Sequence, residues 1–156
     1  MPKLTQVKET KRGRYALFFD GEFAFSLDED TFAMAGLHTG DELEEWQIHD
    51  LQTKSDTRKA VDKAMDLLAL RDHAAGELYQ KLCRSFDPHS AAAAVAKMQE
   101  LNLLDDAGFA RRRAAELLRK RKSRRAILDD LHAKGIDRGA AAEAVETLFA
   151  QSEEDE

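Results

Sequence analysis

Residues 105–150 read DDAGFARRRAAELLRKRKSRRAILDDLHAKGIDRGAAAEAVETLFA, and this stretch decides the fold. Asp105, Ser123 and Asp137 each stand where an N-cap belongs, just ahead of apolar residues at helical spacing. Phe109, Ala110, Ala114, Leu117 and Leu118 follow the first cap; Ile127, Leu128 and Leu131 follow the second and are closed by Gly135. Ala141, Ala144, Val145 and Leu148 follow the third. The stretch therefore predicts three helices.

The same grammar runs upstream. Asp56 precedes Val61, Ala64, Met65 and Leu68, and Asp72 precedes Ala75, Leu78, Tyr79 and Leu82. Asp87-Pro88 precedes Ala91, Ala94, Val95, Met98 and Leu101. Phe86-Asp87 matches Ile136-Asp137 at an offset of 50, as do Val95 and Met98 with Val145 and Leu148; Leu78 and Leu82 match Ile127 and Leu131 at 49. Residues 55–104 and 105–150 thus read as two copies of a three-helix unit.

Residues 1–54 differ in kind. Seven of the eleven aromatics lie between Tyr15 and Trp46, whereas alanine dominates later, which favours strands before helices. Asp20-Gly21 separates two apolar runs as a hairpin turn, Phe23 and Phe25 alternate with polar or small neighbours, and Leu4–Thr10 supplies a third strand. A short helix is expected from Asp28 to Gly36, then a turn at Thr39-Gly40-Asp41 and a helix carrying Trp46 and Leu51. No basic residue lies between Phe18 and Trp46, so the aromatics read as a small core and not as a base-stacking platform. The fold class is α+β: a hairpin-containing module over 1–54, two tandem three-helix repeats, and an acidic tail over 151–156 expected to be disordered.

The net charge of −6 hides a division. Residues 1–54 sum to −5, 55–106 to −2, 107–150 to +5, and 151–156 to −4. Residues 111–125 hold nine basic side chains and one acid, Glu116. With Phe109, Ala110, Ala114, Leu117 and Leu118 inward, Arg111, Arg112, Arg119 and Lys122 fall on the opposite side. Arg113 and Lys120 flank the stripe, and Arg124 and Arg125 begin the next helix. Like charges four residues apart cost helix stability, so a nearly one-signed run points to an anionic partner. Arginine forks match phosphate oxygens, and an acidic protein groove serves as well.

Other chemistries find no support. The histidines at 38, 49, 73, 89 and 132 lack metal-ligand spacing, and no glycine-rich phosphate loop or nucleophile elbow is present. Asp105-Asp106 reads as capping, His73 beside Asp72 as first-turn helix chemistry, and Cys83 as a neighbour of an apolar stripe. No catalytic residue, metal or cofactor is expected. A single cysteine excludes an intrachain disulfide, and neither a membrane-length apolar run nor a secretory signal is found, so a cytoplasmic protein is expected.

The stretches LLALRDHAAGELYQKL (67–82) and LNLLDDAGFARRRAAELLRKRKSRRAILDDLHAKGID (101–137) resemble the RecX family of bacterial recombination regulators. Arg71 with Glu77-Leu78 and Leu82 carries the resemblance, as do Leu104-Asp105-Asp106 with Phe109-Ala110. Ile127 and Leu131 ahead of Lys134-Gly135-Ile136 complete it. RYALFFDGEFAFSLDED (14–30) is similar to an extension that some members carry. Two features depart from the pattern: Asn102-Leu103 stands where glycine and an aromatic are common, and Arg84-Ser85-Phe86 replaces a Lys-Gly-apolar turn. The family usually has three repeats, and two are read here.

The resemblance implies a non-enzymatic regulator that binds the RecA filament on single-stranded DNA and inhibits its recombinase and ATPase activities in recombination and repair. Arg111, Arg112, Arg119, Lys122, Arg124 and Arg125 would face the bound DNA phosphates or an acidic RecA surface, with the chain a monomer away from membranes. The alternative is a free-standing DNA-binding helical module without direct RecA contact. The acidic tail is a candidate competitor for the basic block.

Overall fold

Asp20 and Gly21 both adopt positive φ, 52° and 82°, in the computed structural model, which describes residues 1–154. Two successive positive φ values match the right-handed twist of the strands that the turn joins. Strands β1 (Leu4–Glu9), β2 (Tyr15–Phe19) and β3 (Glu22–Leu27) form an antiparallel sheet in that order. Helix α1 (Glu29–Ala35) starts at Asp28, whose carboxylate accepts from the Thr31 amide, and ends at left-handed Gly36. The chain is α+β, with seven helices after the sheet among the described residues. It divides into two compact units, residues 1–60 and residues 61 onward.

The first unit buries Leu4, Leu17, Phe19, Phe25, Leu27, Leu43 and Leu51 together. Two aromatics expected in that core lie outside it. The register slips between Leu17↔Phe25 and Phe18↔Phe23, so Ala24 is an extra residue in β3 and the alternation breaks there. Phe23 is 60% exposed and edges against Phe18 instead. Trp46, 65% exposed, donates its indole N–H to Glu44.

Helix α2 (Glu45–Leu70) is one continuous element, where two helices with a cap at Asp56 were expected. No glycine or proline interrupts it, and the polar residues beside Asp56 are held by the sheet. Ser55, almost fully buried, donates to the Ser26 carbonyl at 2.7 Å, and Arg14 bridges the Ser26 carbonyl (3.0 Å) and Ser55 Oγ (3.3 Å).

In the second unit α3 (Ala75–Leu82) packs on α4 (Pro88–Glu100), and α5 (Asp106–Arg119), α6 (Arg124–Ala133) and α7 (Arg138–Glu154) each pack on the other two. Asp87, Asp105, Ser123 and Asp137 cap the helices as expected, each accepting an amide three residues on at 2.7–3.1 Å. Ala110, Ala114 and Leu117 of α5 meet Ile127 and Leu131 of α6 and Ala141, Ala144 and Val145 of α7 in one core. Each fully buried Ile or Leu there contributes about 1.5–3 kcal/mol. The segment from 151, expected to be disordered, continues α7 as far as Glu154; the remaining tail residues 155–156 lie outside the described residues.

Three helices end alike. Asn102, Arg121 and Gly135 take φ of 59°, 62° and 88°, and the following amide bonds back to Met98, Leu117 and Leu131 respectively. Asn102 thus does the work of the glycine common at its place, since asparagine tolerates the left-handed region.

Candidate functional site

The basic block does not form one helical face. Helix α5 stops at Arg119, Lys120 is its C-cap, and left-handed Arg121 turns the chain, so Lys122 sits in the turn to α6 and not on the α5 surface where regular helical spacing would put it. The six candidate residues are consequently spread over α5 (Arg111, Arg112, Arg119), the turn (Lys122) and the first turn of α6 (Arg124, Arg125). All six are exposed.

Their electrostatic states differ. Arg112 is held by Asp72 at 3.2 Å, across 40 residues of chain. Arg124 lies 4.9 Å from the centre of the Phe149 ring on α7. Flanking Arg113 is structural: it grips Asp130 at 2.9 and 3.0 Å, and Glu116 at 3.3 Å. Those bonds, above all the one to Asp130, raise its pKa further, so it is permanently charged. Glu116 also pairs with Lys120 at 3.4 Å.

Arg111, Arg119, Lys122 and Arg125 show no side-chain partner among the described residues, nor does Arg121, which the sequence reading left out. Arg121 is the residue whose backbone makes the turn, and a left-handed position is not visible in a run of like residues. Four of these five free cations (Arg119, Arg121, Lys122, Arg125) lie within seven residues around the α5–α6 turn, with Arg111 two turns back along α5. Arg124 and Arg125 also face the positive end of the α6 dipole, a cost of about 0.3–1 kcal/mol each that an incoming anion would reverse.

A second charged group sits around the N-terminus of α3. Glu77, its side chain 11% exposed, accepts two bonds from Arg71 (3.1 and 2.9 Å) and pairs with Lys134 at 3.4 Å. Burial alone would raise the Glu77 pKa, but the bonds and charges of Arg71 and Lys134 outweigh it and bring it down to about 2. His73 is 3% exposed, with Nδ1 2.9 Å from the Arg71 carbonyl and Nε2 2.9 Å from Lys81 Nζ. Burial lowers its pKa, and the nearby cations Arg71 and Lys81 act in the same direction. A neutral ring donating from Nδ1 and accepting at Nε2 satisfies both contacts. His73 is therefore a buried group just ahead of α3, and not part of its first turn as its place beside Asp72 suggested.

Asp72 caps nothing; the cap of α3 comes from elsewhere. Ala74 precedes the helix without a side-chain bond, and the Ala75 amide donates instead to Asp106 Oδ1 at 2.8 Å. The acidic pair Asp105-Asp106 thus caps two helices, α5 with one carboxylate and α3 with the other. Gly76 and Gly135 touch backbone to backbone: a Cβ on Gly76 would lie 2.9 Å from the Gly135 Cα. Arg71, Glu77, Lys134 and Gly135, four of the residues that carry the family resemblance, all meet at this junction.

The fold and this arrangement define a class: an α+β protein with a small sheet unit and a helical unit that presents clustered charge at its surface. A family model described as RecX, second three-helix domain, matches residues 105–145. The regulatory protein RecX of Lactobacillus gasseri is 31% identical over the whole of this chain, which spans 57% of that relative. That of Bacillus subtilis is 27% identical over 95% of this chain and is spanned to 58%, and that of Caldanaerobacter subterraneus is 27% identical, with 76% of its length spanned. A crystal structure of a regulatory protein RecX superposes with a TM-score of 0.68 at 24% identity, over 95% of this chain and 74% of that one, and shares the fold. The matched domain and these relatives support a place for the chain in the RecX family of regulatory proteins. No helix among the described residues is long and apolar enough to cross a membrane.

Proposed function

We propose that this chain is a non-enzymatic regulator that binds the RecA filament on single-stranded DNA and lowers RecA recombinase and ATPase activity. The observation that carries the reading is the cluster of unpartnered cations, Arg119, Arg121, Lys122 and Arg125, within seven residues around the α5–α6 turn of a chain with a net charge of −6. Phosphates within the filament, or acidic RecA surface beside them, supply the missing negative charge, and released counterions drive the contact. The acidic frame disfavours coating of naked DNA, so a partner offering both protein and phosphate fits better than DNA alone. The protein acts in the cytoplasm as a monomer, by occupancy and not by chemistry; the acidic pair Asp105-Asp106 is spent on capping.

The deciding measurement is RecA ATPase on single-stranded DNA with and without the protein at matched salt. Replacing Arg119, Arg121, Lys122 and Arg125 with glutamate should weaken inhibition at least tenfold while the helical circular dichroism stays unchanged. Undiminished inhibition by that variant removes the corner from the interface. Tight, steeply salt-dependent binding to naked DNA with no effect on RecA would establish the free-standing DNA-binding alternative instead.

A further inference from the structure

The cleft of about 250 Å³ lined by Arg71, Asp72, Phe109, Arg112, Arg113 and Lys134, with Glu116 at its edge, carries four cations, and they are not equally available. Arg71 is locked by two bonds to Glu77, Arg113 by two to Asp130, and Lys134 by Glu77. Arg112 is held by a single bond of 3.2 Å to the most exposed of these acidic partners: the Arg112 and Asp72 side chains are 60% and 74% exposed. Exposed single-bond pairs are worth little, so this one exchanges at small cost. Asp72 has no other side-chain duty, since Asp106 caps α3 in its place.

We propose that Arg112 is the seat of a phosphate subsite, and that the chain's own Asp72 carboxylate occupies that seat as an intramolecular competitor. A carboxylate oxygen on a guanidinium N–H makes the same charge-assisted bond that a phosphate oxygen makes, so Asp72 holds the place of a nucleic-acid phosphate and is displaced when one arrives. The device sets a threshold. A lone strand must remove Asp72 to gain one contact, whereas a partner already anchored at the free cations of the α5–α6 corner gains it at high local concentration. The inference rests on the reading that the basic block meets phosphates, and adds that Asp72 meters how many cations it offers.

The test uses the full chain and a fluorescein-labelled oligothymidylate, titrated across salt concentration without RecA. Asp72→Asn, which keeps the backbone contact to Arg71, should tighten binding two- to fivefold at low salt and steepen the log–log salt slope by about 0.7, one further phosphate on a single strand. Arg112→Gln should abolish that gain in the double variant, and Glu146→Gln, which removes an equal charge on α7, should not reproduce it. A gain that survives Arg112→Gln, or that Glu146→Gln matches, overturns the proposal by making it a net-charge effect; so does an unchanged slope. The RecA ATPase arm is separate: a wild-type chain without effect on RecA refutes the regulatory reading while the slope comparison still judges Asp72.

Discussion

The two three-helix stretches look alike in sequence and differ in self-sufficiency. Helices α5, α6 and α7 carry their own caps at Asp105, Ser123 and Asp137 and close on one another around a shared core. The earlier stretch borrows. Its α3 is eight residues long, takes its N-terminal cap from Asp106 and a second counter-charge for Glu77 from Lys134 beside that of Arg71, and has a close backbone neighbour in Gly135. So short a helix is marginal alone, and its stability comes from packing. A sequence repeat is therefore not an energetic repeat: the second copy is a platform on which part of the first is built.

The strongest way to break that dependence is at the glycine contact. Gly135→Ala forces an alanine into φ of 88° and sets its Cβ 2.8 Å from the Gly76 Cα. Strain and overpacking together should cost about 3 kcal/mol in urea unfolding, with the loss felt in α3 as well as α6. If Gly135→Ala is harmless, the two stretches are not interlocked there.

The next test concerns Glu77. Its carboxyl is held at about 2 when folded, against 4.5 unperturbed, so its contribution is complete above about pH 4.5 and disappears as pH falls toward 2. Glu77→Gln should cost about 2 kcal/mol at pH 7, after allowance for the exposed Arg71 partner, and should flatten the acid limb of the stability curve. An acid limb unchanged by Glu77→Gln assigns that limb to other carboxylates.

The smallest effect sharpens the comparison most. Asp106→Ala should cost about 1 kcal/mol and raise amide exchange at Ala75, the first residue of α3, more than within α5, whose own cap is Asp105. Exchange that rises only in α5 would mean that α3 does not depend on its borrowed cap.

Much of this was legible in one dimension because it is local. The hairpin at Asp20-Gly21, the caps at Asp28, Asp87, Asp105, Ser123 and Asp137, and the αL terminus at Gly135 each depend on residues a few positions away. The basic block was legible as composition, and so was the capping role of the acidic pair, though not that Asp106 serves another helix. What escaped depends on contacts between residues far apart in sequence. No helix starts at Asp56, where α2 runs through and Arg14 and Ser26 hold the neighbouring Ser55; Phe23 leaves the core because of one extra residue in β3; Arg112 is not free because Asp72 reaches it.

The sequence by itself determined an α+β chain with a hairpin, a run of capped helices after it and a +5 block inside an acidic frame, since hydrophobic spacing, caps and charge are properties of neighbours. Only the tertiary structure decided which of those cations are spent and which are offered. Charge is counted residue by residue, but its availability depends on what lies within about 4 Å, and for Arg112 that is a residue 40 positions away.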